Sequence, residues 1–426
     1  MSSAPEVPSS TSPWRSPSYR ILLAGATISA FGNAISPVAI AFAVLDLGGD
    51  ATALGLVVAA YAAAQVTTTL LGGVLGDRLP RSVLVTGSAL ACGVTQVIVA
   101  LSLAQHWSSL GLLAGCSVLT GVFGALGGPS LQALTVQTVP ANILQRAISW
   151  RRLAANAAQV LGYGVAGVLV AAHGSAWAVG VDAATFFMAA LCYSLLRLPI
   201  AAPSARHRSV LGDLGDGVRE VARHTWMWVL IAQALVYHLF YVGAQGVLGP
   251  IVVSEAFGKA AWGWSLALLM TGYIVGGLVT LRWRPRHHLF VGTALLALTG
   301  AFPAAMAWGV DLRVVLLGAF LHGFGLEIFS VAWDVSIQQN VPPSILARVY
   351  AVDISGSFFA RPVGFALTGV VADAVGYGRW LWVVAIVVSG TALVCLFVPS
   401  IRRLPRTDVP AGGMPVGLTS DGAARV

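Results

Sequence analysis

The sequence predicts an all-α membrane protein of twelve transmembrane helices in two pseudo-symmetric six-helix bundles, and three observations predict it. Of its 426 residues 57% are apolar and only 9% charged, with a mean hydropathy of +0.83, where soluble folds carry roughly a quarter charged residues. From Ser82 to Gln145 there are 64 residues without one Asp, Glu, Lys or Arg, although a bilayer-spanning helix needs only about 20. The second half of the chain also repeats part of the first.

Taken in order, residues 1–19 are rich in Ser and Pro, bury too little apolar surface to pack, and read as a disordered tail. Cutting at charges, prolines and Gly, Ser or Asp turns gives six spans at roughly 20–45, 52–76, 82–104, 109–136, 149–172 and 175–197. The first is too long for a secretory signal and lacks a small-residue cleavage site. The charged segment Asp77 to Arg81 separates the second from the third. The polar hairpin Gln105-His106-Trp107-Ser108 separates the third from the fourth. Residues 199–224 carry Pro203, Arg206, Arg208, Asp213, Asp216 and Glu220, and form a linker between bundles at 20–198 and 225–400. Six more spans follow at roughly 226–253, 261–281, 288–308, 312–338, 348–373 and 379–399, and residues 401–426 form a second tail.

Charge sets the orientation. With the termini inside, 20 of the 24 Lys and Arg fall on the terminal face; the other face keeps Lys259, Arg313 and Arg379, and Arg361 lies within a span. Both termini are therefore expected in the cytoplasm, with the chain multi-pass in the inner membrane. The net charge of +8 then belongs to loops held at the cytoplasmic side and not to a nucleic-acid surface. Cys92, Cys116, Cys192 and Cys395 all lie in apolar runs, so neither a disulfide nor a metal is expected. No P-loop, HExxH or GxSxG motif is present, which argues against direct ATP coupling, an enzyme and a cofactor.

At an offset of 202, Gln137 to Gly174 aligns without a gap on Gln339 to Gly376 with 12 identities in 38 positions, among them Pro140/Pro342, Arg146/Arg348, Gly162/Gly364, Gly167/Gly369 and Gly174/Gly376. Parallel repeats of six spans with a site between them are a recurring transporter design, because rocking one half against the other gives alternating access.

The segment Gly73-Val-Leu-Gly76-Asp77-Arg78-Leu-Pro80-Arg81 resembles the signature between helices 2 and 3 of the major facilitator superfamily, with Pro80 in place of its second glycine. The Val-Pro-x-x-Ile-Leu-x-Arg loops after helices 4 and 10 resemble the superfamily's drug, macrolide and siderophore exporters. The resemblance covers about residues 20–400. It implies the major facilitator fold and export of an amphipathic organic compound by proton antiport; its partners would be a small-molecule substrate, protons and the lipid bilayer, and the chain a monomer. Two departures weaken antiport: the repeat of the signature at Gly277 to Arg284 has lost its acid, and helix 5 carries Gly162-Tyr163 where antiporters often have Gly-Pro. Proton-coupled uptake on the same fold is the alternative.

Asp77 is placed at the end of helix 2, where an acid needs a cation or a helix N-terminus. It is expected to latch the cytoplasmic side against the start of helix 11, with Arg78, Arg81, Arg146 and Arg348 beside it and an Arg282–Asp334 pair in the other half. Ionisable groups inside spans are costly, which singles out Glu327 at mid-depth in helix 10 for proton coupling unless His322 or Ser330 neutralises it. Asp182 reads as structural, near the outer surface. Asp353 and Arg361 are about 80° apart around helix 11 and need separate partners. Polar stripes mark a substrate cavity: Asn33 on helix 1, Asn156 and Gln159 on helix 5, and Gln233, Tyr237, Tyr241 and Gln245 at intervals of four on helix 7, with His238 beside them and Arg361 opposite.

Overall fold

The computed structural model describes residues 12–78, 80–196, 210–342 and 345–406, with side chains described for these except residues 70–78, 141, 210–214 and 347. Among the described residues, twelve helices are long and apolar enough to cross a membrane. They are α1 Pro17–Asp46, α2 Ala51–Arg78, α3 Arg81–Ala104, α4 Leu110–Thr138, α5 Leu144–His173, α6 Ser175–Ser194, α7 Thr225–Phe257, α8 Lys259–Arg282, α9 His288–Trp308, α10 Leu312–Asn340, α11 Arg348–Val375 and α12 Tyr377–Cys395. Leu161, Leu191 and Ile386 are among the large apolar side chains left exposed, as a lipid-facing surface requires.

Local chemistry sets the helix ends. The Ser16 hydroxyl accepts from Tyr19 N at 3.2 Å with Pro17 at the first helical position, so α1 starts three residues before its expected boundary. Ser109 caps α4 and Asp311 caps α10 in the same way. All six turns on the face away from the termini contain a residue at positive φ: Gly48, His106, Gly174, Gly258, Gly309 and Gly376. Five are glycine, for which the left-handed region carries no steric cost, and this explains the repeated pair Gly174/Gly376. Residues 210–223 of the linker form an amphipathic helix, Val210–Arg223. Reading the linker as one polar break missed it, because its apolar positions are spaced for one face only.

Two spans are irregular where prolines remove a donor. In α9, Pro303 has no N–H to give Thr299 O, and that carbonyl instead accepts from His322 Nδ1 at 2.7 Å in α10. In α7, Ala244–Leu248 widens into a π turn ahead of Pro250.

Within the first bundle α1 packs on α5 and α6, α2 on α4, and α3 on α4 and α6; in the second, α8 and α9 pack on α10, α7 on α11, and α9 on α12. The bundles meet through α5 against α8 and α2 against α11. The repeated glycines sit at these crossings. A Cβ on Gly162 or Gly364 would stand 2.5 Å from Phe31 O of α1 or Leu239 O of α7, inside its own bundle. On Gly167 it would stand 2.9 Å from Gly263 Cα of α8, and on Gly369 2.5 Å from Ala51 O of α2, both across the bundle interface. Small residues let helix backbones approach this closely in lipid.

Candidate substrate cavity and coupling residues

A cavity of about 490 Å³ lies between the bundles. The first bundle lines it with Asn33 and Pro37 of α1, Tyr61 and Gln65 of α2, Gln96 of α3 and Tyr163 of α5. The second contributes Gln245, Trp262, Arg361 and Phe365 from α7, α8 and α11. Aromatic faces with a few amides and one guanidinium suit a bulky amphipathic molecule.

Of the residues the sequence proposes for this cavity, Asn33, Gln245 and Arg361 line it. Asn156 and Gln159 are half-buried on α5, one to two turns from Tyr163 toward the terminal face. The α7 stripe divides. Tyr237 and Tyr241 are buried and stacked at 5.0 Å, and Tyr241 stacks at 4.1 Å on His322 of α10, so both belong to the interior of the second bundle. The Tyr237 hydroxyl lies 3.0 Å from His322 Nε2; since Nδ1 must donate to Thr299 O, the Nε2 of a neutral ring accepts from the phenol. Gln233 is buried with its Nε2 unpartnered. His238 donates from Nδ1 to Ala234 O and packs on Phe358 of α11. A spacing of four drifts around a helix of 3.6 residues per turn, and the stripe reaches the cavity only at Gln245, within the π turn.

Glu327 is half-buried on α10, its side chain beside Gly276 and Gly277 of α8. Neither expected neutraliser serves it: the Ser330 hydroxyl donates to Leu326 O, and His322 holds Thr299 and Tyr237. The cation in electrostatic reach of both Glu327 and Asp334 is Arg152 of α5, from the opposite bundle. Sequence reading counted Arg152 only toward topology. Asp182, seven residues from the start of α6, is fully buried where α1, α3 and α6 cross; its Oδ2 accepts from Gln96 Nε2 at 2.7 Å and its Oδ1 has no partner. Gln96 also donates to Ser36 Oγ at 2.7 Å, which connects this acid to the cavity wall.

The side chains of Asp77 and Arg78 lie outside the described residues. Arg81 is half-buried, and Arg146 and Arg282 are exposed. Asp334 accepts from the Tyr350 hydroxyl at 3.4 Å and makes no ion pair with Arg282. Arg348 pairs at 2.8 Å with Asp216 of the linker helix. Asp353 accepts from Trp333 Nε1 at 3.1 Å.

On the face away from the termini the bundles are joined by polar contacts as well as by glycines. Lys259 of α8 pairs with Asp46 of α1 at 2.5 Å. Asp373 of α11 caps the start of α2, accepting from Thr52 N at 3.2 Å and Thr52 Oγ1 at 2.6 Å. Asp373 was hidden in the sequence at the edge of an apolar span. Tyr61 and Gln65 were legible as a polar pair at helical spacing in apolar α2, and Gln65 Nε2 donates to the Tyr61 hydroxyl at 3.3 Å.

The family model of the Major Facilitator Superfamily matches residues 22–249. The multidrug efflux pump Tap of Mycolicibacterium fortuitum is 26% identical over 409 residues, covering 93% of this chain and 99% of that protein. Macrolide efflux protein A of Streptococcus pyogenes is 22% identical over 410 residues, covering 92% and 98%. Among solved structures, the nucleoside transporter NupG superposes with a TM-score of 0.71 at 12% identity, over 89% of this chain and 98% of that one. A bacterial homolog to the human lysosomal transporter Spinster, inward-facing and occupied, gives 0.67 at 15% identity, over 91% and 94%. Those two likenesses speak to the fold alone. A multi-pass membrane transporter rather than an enzyme, the chain belongs to the major facilitator superfamily.

Proposed function

We propose that the chain exports amphipathic organic compounds across the plasma membrane by alternating access coupled to proton antiport, and that the structure represents its inward-facing state. The observation that carries this is the aromatic and amide-lined cavity between two bundles sealed on the face away from the termini. The concentration of Arg on the terminal face supports a cytoplasmic terminal side, and the similarity to efflux proteins for several drugs and macrolides supports export. In everted vesicles energised by respiration, radiolabelled chloramphenicol, a neutral amphipathic compound, should accumulate, and collapse of the proton gradient should release it. Equal label in vesicles with and without the protein would remove the export reading. In intact cells an impermeant thiol reagent should label Lys259→Cys and spare Arg402→Cys; the reverse pattern inverts the topology.

Asp77, with Arg78, Arg81, Arg146, Arg282, Asp334 and Arg348 around it, is proposed as the latch that closes the terminal face in the opposite state. The lack of an ion pair between Arg282 and Asp334 supports an open latch here. Asp77→Asn should slow chloramphenicol export several-fold at matched expression with its affinity unchanged, since the carboxylate holds a state and not a ligand. Wild-type export rates in this variant would take Asp77 out of the cycle.

A further inference from the structure

We propose that Arg361 forms an anion subsite in the cavity, so that the preferred substrates are amphipathic organic acids that place a carboxylate on this guanidinium. The inference rests on the reading of the cavity as the substrate site and narrows its chemistry.

Arg361 lines the cavity from α11. Its guanidinium donates no hydrogen bond to a described residue, its Nε is buried without a partner, and it forms no ion pair among the described residues. A cation held inside a membrane protein without a counter-charge is costly and marks function. What surrounds it is aromatic. Its carbon lies 5.3 Å over the Phe358 ring, and the groups within its electrostatic reach are the phenols of Tyr61, Tyr163, Tyr237 and Tyr273. Phenols are neutral near pH 7 and cannot balance a full charge.

Neither of the acids that share these tyrosines pairs with it. Tyr273 is in reach of both Glu327 and Arg361, and Tyr61 of both Asp182 and Arg361. Glu327 sits against α8 and Asp182 is bound by Gln96. The guanidinium thus has no acid partner among the described residues and lines the cavity, where its fork matches the two oxygens of a carboxylate. Trp262 and Phe365 on the same wall offer faces to an aromatic body, while Gln65 and Gln245 offer amides to its polar groups.

The test uses two ligands that differ only in charge, 1-pyrenebutyrate and its methyl ester, with binding to the purified full chain read by pyrene fluorescence. The wild type should bind the acid at least about ten-fold more tightly than the ester, the scale expected of a charge-assisted hydrogen bond. Arg361→Gln should reduce the ratio of acid to ester affinity to about one, and Arg361→Lys should keep part of it. If Arg361→Gln also loses the ester, the protein is misfolded, and the preference in the wild type and in Arg361→Lys decides. A wild type that binds acid and ester equally overturns the anion subsite and leaves the exporter reading standing; one that binds neither removes both. A preference that survives in Arg361→Gln also overturns it.

Discussion

Glu327→Gln is expected to abolish concentrative export while leaving ligand binding and downhill exchange intact. The carboxylate is half-buried within a span with no hydrogen bond or ion pair to a described residue, and a charge there is expensive unless it is neutralised. Protonation is the available route, and Arg152, the cation of the opposite bundle within electrostatic reach, supplies a second: if the distance between α5 and α10 changes as the terminal face opens and closes, so does the preference for the charged form. A group so placed can load a proton when the cavity faces outward and release it when the cavity faces inward. One charge crossing about 100 mV yields roughly 2.3 kcal/mol, enough for a substrate gradient of nearly two decades. Gln mimics the protonated form and cannot titrate. In proteoliposomes the variant should equilibrate neutral radiolabelled chloramphenicol without concentrating it, and its flux should lose dependence on an imposed pH gradient. Uphill transport with unchanged pH dependence would move the proton site to Asp334, Asp353 or Asp182.

The span pattern was legible because bilayer thickness fixes helix length, and charge, proline and turn residues punctuate the apolar runs one by one. The repeat was legible too, but its meaning was not. Gly162/Gly364 and Gly167/Gly369 look alike in sequence, yet the first pair packs inside each bundle and the second between bundles; only three-dimensional neighbours tell them apart. The cavity was half visible. Asn33, Gln245 and Arg361 stood out as polar groups in apolar helices and do line it, whereas Tyr237 and Tyr241 carry the same signal and face His322. A polar side chain in a span announces that it needs a partner, not whether that partner is a ligand or a neighbouring helix. Arg152 was obscured differently: at the rim of the terminal face it satisfies the topology rule so well that a second role leaves no mark on the sequence.

Gly263→Val is expected to hold the face away from the termini open and to stop turnover without unfolding the protein. A Cβ at position 263 would stand 2.5 Å from Tyr163 O and 2.7 Å from Gly167 Cα. Both are backbone atoms of α5, so no rotamer change relieves the clash and α5 and α8 must separate. In a state where that face is open the two helices are already apart, and the valine meets no resistance. The substitution thus penalises one of two states. Overpacking of this kind costs about 1–3 kcal/mol, which shifts the equilibrium between states by roughly ten- to a hundred-fold. Spin labels at the adjoining ends of α5 and α8 should move apart in the variant, and chloramphenicol transport should fall by about ten-fold or more at matched expression. The repeat supplies its own controls. Gly369→Val meets Ala51 O and Thr52 Cα of α2 across the same interface and should act alike, whereas Gly162→Val clashes with α1 inside one bundle and should lower the yield of folded protein instead. If Gly263→Val transports at the wild-type rate with unchanged label distances, the α5–α8 contact is a fixed hinge and the bundles part elsewhere.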